Sequence, residues 1–218
     1  PDSPASQAGI EPGYVLLRLH VQGQPKPLEV KLESHRFYLE SFPWDRLDEL
    51  PEQMYDQVPQ PWPPAENEFT RSLTDLGFGK TYTAEFSQNG KLVTKELQTV
   101  ESPPHYDTAA RYQSKKLGLT VRNLTYEVRR YFQKAMDDPG VIISKVEPGS
   151  KTSVSGIKPY EIVTHVNDVP IRTVKEFATL TQDKEELLLS VVRMTRERQV
   201  RLKMEAVDEK KGPDQAKE

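Results

Sequence analysis

The fold is decided by residues 150–166, SKTSVSGIKPYEIVTHV, because the chain contains a second version of this stretch. Residues 3–19, SPASQAGIEPGYVLLRL, align with it without a gap at an offset of 147, which is 150 minus 3. The identical pairs are Ser3/Ser150, Ser6/Ser153, Gly9/Gly156, Ile10/Ile157 and Pro12/Pro159. An internal repeat of this kind fixes the architecture, so we predict two copies of one small domain.

Each copy predicts the same local structures in the same order. A short helical turn leads to a glycine at positive φ, an apolar anchor, a turn that begins with proline, and an apolar strand. After the second copy, Thr173 and Glu176 have the spacing of a capping box, which predicts a helix from Val174 to about Thr181. After the first copy, Asn89-Gly90 predicts a hairpin between residues 81–86 and 91–100.

Composition excludes several classes of function. Only 35% of the 218 residues are hydrophobic and the mean hydropathy is −0.70, which favours small cores joined by polar connections. A net charge of −3 gives no field that would attract nucleic acid. The absence of cysteine excludes disulfides, thiolate metal sites and thiol nucleophiles. The apolar runs are strand-sized, so no membrane span is predicted.

The pattern of prolines and charges sets the expected domain boundaries. We expect a partial domain at 1–101 with an insertion at about 23–65, a polar linker at 102–114, a complete domain at 112–205, and a disordered charged tail at 206–218. Its stretch 43–64 holds six prolines and both tryptophans, so the insertion is neither regular helix nor central strand. Two interpretations stay open. The insertion is a surface excursion, or its aromatic residues dock on a neighbouring domain or a partner.

No arrangement of side chains indicates catalysis or metal binding. The four histidines lack the spacing of metal ligands, and no serine lies in a nucleophile motif; the histidines are His20, His35, His105 and His165. A glycine-rich phosphate loop is also missing from the sequence. We therefore predict no catalytic residues, no metal site and no cofactor in this chain.

Four motifs follow one another in the second half of the chain: KLGLTV at 116–121, GVIISKVEPGS at 140–150, GIKP at 156–159 and VKEF at 174–177. This order resembles a PDZ domain, and more narrowly the PDZ domains that follow the protease domain in the bacterial HtrA (Deg) family of serine proteases. The resemblance implies an α+β fold with two PDZ-like domains, each a small antiparallel β-sandwich or barrel with capping helices. The first would be incomplete at its N-terminus and would carry the Pro-rich insertion.

The resemblance also implies a binding site. A PDZ domain takes up an extended peptide, usually a C-terminus, as an added strand. The loop 116–119 would hold the terminal carboxylate, residues 119–122 would offer an unpaired sheet edge, and the helix from Val174 would form the opposite wall. The peptide-binding residues implied in this way are Leu117, Gly118, Leu119, Thr120, Val121, Val174, Ala178 and Thr181.

The implied function is peptide recognition or regulation within an HtrA-like serine protease of the bacterial periplasm or cell envelope, with the catalytic triad upstream. Its partners would be peptides or unfolded proteins with free C-termini, and copies would assemble through an upstream domain. Two alternatives remain open. The chain belongs to a scaffold protein without a protease, or to another envelope protease, such as a site-2 metalloprotease or a C-terminal processing protease.

Overall fold

A computed structural model describes residues 3–30, 42, 44–64 and 66–204, and these form two compact units. The first unit comprises Pro1–Phe42 and Pro63–His105, and the second comprises Pro43–Trp62 and Tyr106–Glu218. Each unit is built around its own antiparallel sheet. Within the described ranges, no helix has the length and apolar character needed to span a bilayer.

The first unit has a four-stranded sheet in the order β2-β1-β3-β4. Its elements are α1 (Pro4–Gln7), β1 (Val15–Val21), β2 (Leu28–Glu29), α2 (Glu68–Leu76), β3 (Thr81–Gln88) and β4 (Lys91–Gln98). The predicted hairpin is confirmed, because β3 pairs with β4 in continuous register around Asn89 and Gly90. Both turn residues have positive φ, 50° and 79°, as a two-residue hairpin turn requires.

The core of the first unit is small. One face of the sheet buries five apolar side chains, which are Leu19, Tyr82, Ala84, Phe86 and Leu97. The helix α2 begins at a capping box in which Asn67 and Thr70 bond each other's backbone N–H groups. Its apolar residues Phe69, Leu73 and Leu76 are only partly buried against this core.

The second unit has a longer sheet in the order β11-β10-β8-β7-β6-β5, with β9 paired to β8. Its strands are β5 (Arg111–Ser114), β6 (Leu119–Asn123), β7 (Val141–Val146), β8 (Ile162–Val166), β9 (Val169–Pro170), β10 (Glu186–Arg193) and β11 (Arg196–Lys203). Its helices are α3 (Tyr126–Tyr131), α4 (Lys151–Val154) and α5 (Val174–Thr181). The predicted capping box of Thr173 and Glu176 is confirmed at the start of α5.

The second unit also contains a segment from the insertion, residues 44–62, which we call the strap. It forms two 3-10 helices, Trp44–Glu49 and Glu52–Gln57. The structure agrees with the second interpretation of the insertion, because aromatic residues of the strap pack into the core of the second unit. Trp62 is only 2% exposed and lies edge-on to Tyr106 and Tyr160, with ring centroids 4.7 and 5.4 Å away.

Further strap contacts are polar. Tyr55 is buried and hydrogen-bonded through its hydroxyl to the Lys158 ammonium group. The Asp48 carboxylate lies 2.7 Å from the Arg193 guanidinium, which holds the pKa of Asp48 below its ordinary value. The Glu52 carboxylate accepts a hydrogen bond from the Gly149 N–H at 2.8 Å, which lowers the pKa of Glu52 in the same way. The strap is therefore anchored by apolar and charged contacts together.

The stretch 102–114, predicted as a polar linker, differs from that expectation at its C-terminal end. Residues 111–114 form β5, and Tyr106 and Ala109 are both 5% exposed. The composition of β5, Arg-Tyr-Gln-Ser, carries little strand preference. Its pairing arises from the short loop 115–118, which brings it back against β6. The helix α3 ends at Tyr131, and Gln133 just beyond it takes a positive φ of 51°.

Candidate functional site

The predicted carboxylate loop connects β5 to β6. Its Gly118 has a φ of +68°, a backbone conformation that favours glycine. A Cβ added at this position would collide with the Ser150 side chain. Gly118 is therefore needed for two reasons, the turn of the loop and the close approach of residue 150.

The prediction of an unpaired edge at residues 119–122 is wrong. In the structure β6 pairs with β7 on one side and with β5 on the other. The register of β5 sets Tyr112 opposite Val121 and Ser114 opposite Leu119. Among the described strands, the outer position on this side of the sheet belongs to β5. The physical reason is the hairpin loop, which is short enough to fold Arg111–Ser114 onto the edge that was expected to be open.

Two amides of the loop are already bonded. The Gly118 N–H donates to the Ser114 carbonyl oxygen at 2.9 Å, and the Leu117 N–H donates to the Ser114 Oγ at 3.3 Å. These are two of the donors that the sequence assigned to a peptide carboxylate. In this conformation, oxygens of the chain itself occupy them.

The helix α5 forms the other wall. It begins beside the end of β6, where the Val174 N–H donates to Asn123 Oδ1 at 2.8 Å. Past its other end, the Lys116 ammonium donates to the Lys184 carbonyl oxygen at 3.0 Å. The helix thus spans the length of β6, and it lies against both β5 and β6.

The eight predicted site residues lie together in this region but are largely enclosed. Leu117, Leu119 and Val121 are at most 1% exposed and belong to the main core. Thr181 is 3% exposed and donates its hydroxyl to the Phe177 carbonyl oxygen at 2.8 Å. Gly118 is also buried, Val174 is 9% exposed, and Thr120 and Ala178 are half-buried.

Sequence reasoning assigned no side-chain role to two residues of this region, Tyr112 and Arg122. The Tyr112 ring packs against the Phe177 ring, with centroids 6.3 Å apart. The Arg122 guanidinium lies 5.0 Å from the centre of the Tyr106 ring and donates to the Tyr106 carbonyl oxygen at 2.8 Å. Burial raises the pKa of Tyr106, so this phenol stays neutral. The alternation of Tyr112 and Ser114 with the exposed residues Arg111 and Gln113 was the one available signal for a strand with an inward face.

In the ranges that the structure describes, no group of three or more histidine, aspartate and glutamate side chains is placed to hold a metal ion. The region consists of the backbone N–H donors of the loop 115–118, the strand β6 and the helix α5.

Residues 108–184 match the family model described as a PDZ-like domain. The second unit contains a PDZ-like domain. The matched range begins just before β5 and includes the loop, β6 and all of α5. With antiparallel sheets and few helices in both units, the prediction of an α+β, PDZ-like fold is confirmed.

Similar proteins extend this finding. One is a "Probable periplasmic serine endoprotease DegP-like" from Chlamydia pneumoniae, 31% identical over 106 residues, 48% of this chain and 21% of that protein. Another of the same name, from Chlamydia trachomatis serovar D, is 29% identical over 107 residues, 46% of this chain and 21% of the relative. The chain thus spans about a fifth of the length of these relatives.

A solved structure gives a weaker match. It is titled "Crystal Structure of the HtrA3 PDZ Domain Bound to a Phage-Derived Ligand (FGRWV)". Its identity to this chain is 21%, it covers 44% of this chain and 89% of its own, and the TM-score is 0.38. The family match and the two DegP-like relatives bear out the resemblance of the PDZ-like region to the C-terminal part of HtrA proteases.

Proposed function

We propose that the second unit binds the ends of extended peptide chains by strand addition. The groove would be formed by β6, the loop 115–118 and α5. Strand addition supplies affinity through backbone hydrogen bonds, and the flanking side chains supply selectivity. The loop and the helix stand at the positions that such a mode requires, because α5 runs alongside β6 and the loop lies at one end of it.

The observation that carries this proposal is that a strand already lies in the groove. β5 runs antiparallel to β6, its last residue is bonded by two amides of the loop, and α5 lies against it. A peptide end added to the same edge would use the same donors and acceptors. The edge of β6 beside α5 is therefore suited to the addition of one strand.

The site residues have distinct roles in this proposal. Leu117 and Gly118 present amides to the terminal carboxylate. The strand Leu119, Thr120 and Val121 supplies the backbone ladder. Val174, Ala178 and Thr181 on α5 form the opposite wall.

The same proposal concerns the parent protein. The relatives are named as periplasmic serine endoproteases, and this chain corresponds to about a fifth of their length. We place the chain in the recognition or regulatory part of such a protease in the bacterial envelope. Its ligands would be peptides or unfolded proteins with free C-termini, and assembly into a homo-oligomer would rest on the protease part.

The test is a titration of the full chain with the peptide Ala-Arg-Tyr-Gln-Ser, which copies residues 110–114. We expect binding of the free acid in the micromolar range, since a short added strand must be ordered on binding. Amidation of the peptide removes the carboxylate, so it should weaken binding at least about tenfold, by analogy with other charge-assisted hydrogen bonds.

The matched variants are Ala178→Glu and Lys175→Glu, which place the same charge on the half-buried and the exposed face of α5. Ala178→Glu should abolish binding through desolvation and like-charge repulsion, whereas Lys175→Glu should leave binding nearly unchanged. Equal affinity for acid and amide, or wild-type affinity in Ala178→Glu, would exclude the proposed groove. Circular dichroism confirms that each variant is folded.

A further inference from the structure

The strand β5 has the geometry of a bound ligand. It contains four residues, lies antiparallel to β6, and is the outermost described strand on that side of the sheet. The Asn123 N–H donates to the Ala110 carbonyl oxygen at 3.0 Å, just before β5 begins. Since hydrogen-bonded pairs alternate along an antiparallel ladder, the next such pair is Tyr112 opposite Val121.

The end of β5 imitates a chain terminus. Ser114 offers two oxygens, the carbonyl oxygen to the Gly118 N–H and the Oγ to the Leu117 N–H. These two oxygens stand in for the two oxygens of a C-terminal carboxylate. A true carboxylate would make charge-assisted bonds with the same donors, which are roughly twice as strong as neutral ones.

The side chains of β5 alternate as those of a peptide ligand would. Tyr112 is half-buried against Phe177, and Ser114 is 6% exposed. Arg111 and Gln113 are exposed, although the Gln113 amide donates to the Glu147 carboxylate at 3.3 Å. The inward apolar contact that holds the strand is therefore that of the Tyr112 ring with Phe177.

We propose that Arg111–Ser114 is an internal competitor, which an incoming peptide must displace from β6 in order to bind. This inference rests on the proposed function, because it concerns the same groove. The incoming peptide forms backbone hydrogen bonds equivalent to those that β5 gives up. The main contact that β5 loses when it leaves is therefore the packing of Tyr112 against Phe177. Occupancy by β5 lowers the apparent affinity, because the intrinsic affinity is multiplied by the fraction of molecules in which the groove is open.

Competition by β5 predicts that shortening one of its side chains strengthens peptide binding. Tyr112→Ala removes the contact with Phe177 and should tighten the apparent affinity for Ala-Arg-Tyr-Gln-Ser by about fivefold or more. The control is Arg111→Ala, which changes an exposed side chain of the same strand. It should bind as the wild type does. Isothermal titration on the full chain measures all three proteins.

A second measurement needs no variant. Saturating peptide should increase hydrogen exchange at the Tyr112 amide while the amides of β6 stay protected. Unchanged exchange at Tyr112, or Tyr112→Ala that binds no tighter than wild type, would overturn the internal competitor even if peptide binds. If the free acid binds to none of the proteins, the proposed function itself fails. The two failures are therefore distinguishable.

Discussion

The two copies of the repeat have nearly the same sequence pattern but very different burial. Ile157 and Ile162 of the second copy are fully buried. Their counterparts in the first copy, at the offset of 147, are Ile10, which is only half-buried, and Val15, which is 52% exposed. The same local sequence thus forms a strand in both places, while burial is decided by what packs around it.

The difference lies in the neighbours of the equivalent strands. In the second unit, β8 pairs with β10 and, at Ile162 and Val163, also with β7. Ile162 further belongs to a cluster with Trp62 of the strap and Ile142. In the first unit, β1 pairs with β3, and its other described partner, β2, reaches only Arg18 and Leu19. The second copy is therefore buried by segments that are distant from it in sequence, namely β10, β7 and the strap.

The largest expected effect tests the strap. Trp62→Ala removes a nearly fully buried ring and should lower the free energy of unfolding of the second unit by about 3–5 kcal/mol. Trp62→Phe keeps an aromatic ring in place and should cost clearly less. Urea denaturation followed by circular dichroism measures both. A loss below about 1 kcal/mol for Trp62→Ala, the size of an ordinary substitution, would show that the strap is not part of the core.

The next effect tests the comparison itself at equivalent positions. Ile162→Ala should cost about 2–5 kcal/mol because it leaves a cavity in a closed core. Val15→Ala should change stability by only about 0.5 kcal/mol, as at other exposed positions. The extra methylene of isoleucine accounts for only about 0.8 kcal/mol of that difference. Equal losses in the two variants would show that the burial contrast has no energetic meaning.

Local signals in the sequence were sufficient for many elements. The hairpin turn at Asn89-Gly90 and the helix that begins after Thr173 depend on residues within a few positions of each other, and both were predicted correctly. The repeat and the ordered motifs gave the fold class. These features share one property, because the interacting residues are close in sequence.

Long-range features could not be predicted in this way. The Tyr160 hydroxyl donates to the Val58 carbonyl oxygen 102 positions away, and Arg193 pairs with Asp48 at a separation of 145. Nothing in the local pattern of either segment specifies such a partner. The strand β5 was missed for a different reason, since its polar residues pair only because a tight loop returns them to β6. The eight predicted site residues therefore stay a proposal.

One measurement tests the central claim, that a peptide must take the place of β5 on β6. Gln113 and Thr120 lie directly opposite each other, in a pair without mutual hydrogen bonds. Their Cα atoms are expected to be about 4.5 Å apart, which suits a disulfide. The chain has no cysteine, so Gln113→Cys combined with Thr120→Cys would form one defined cross-link.

The oxidised double variant should not bind Ala-Arg-Tyr-Gln-Ser, because β5 cannot leave, and reduction should restore binding. The single variants Gln113→Cys and Thr120→Cys serve as controls and should bind under both conditions when kept monomeric. If the oxidised double variant binds as tightly as its reduced form, the peptide uses another surface, such as the outer edge of β5, and the account is contradicted.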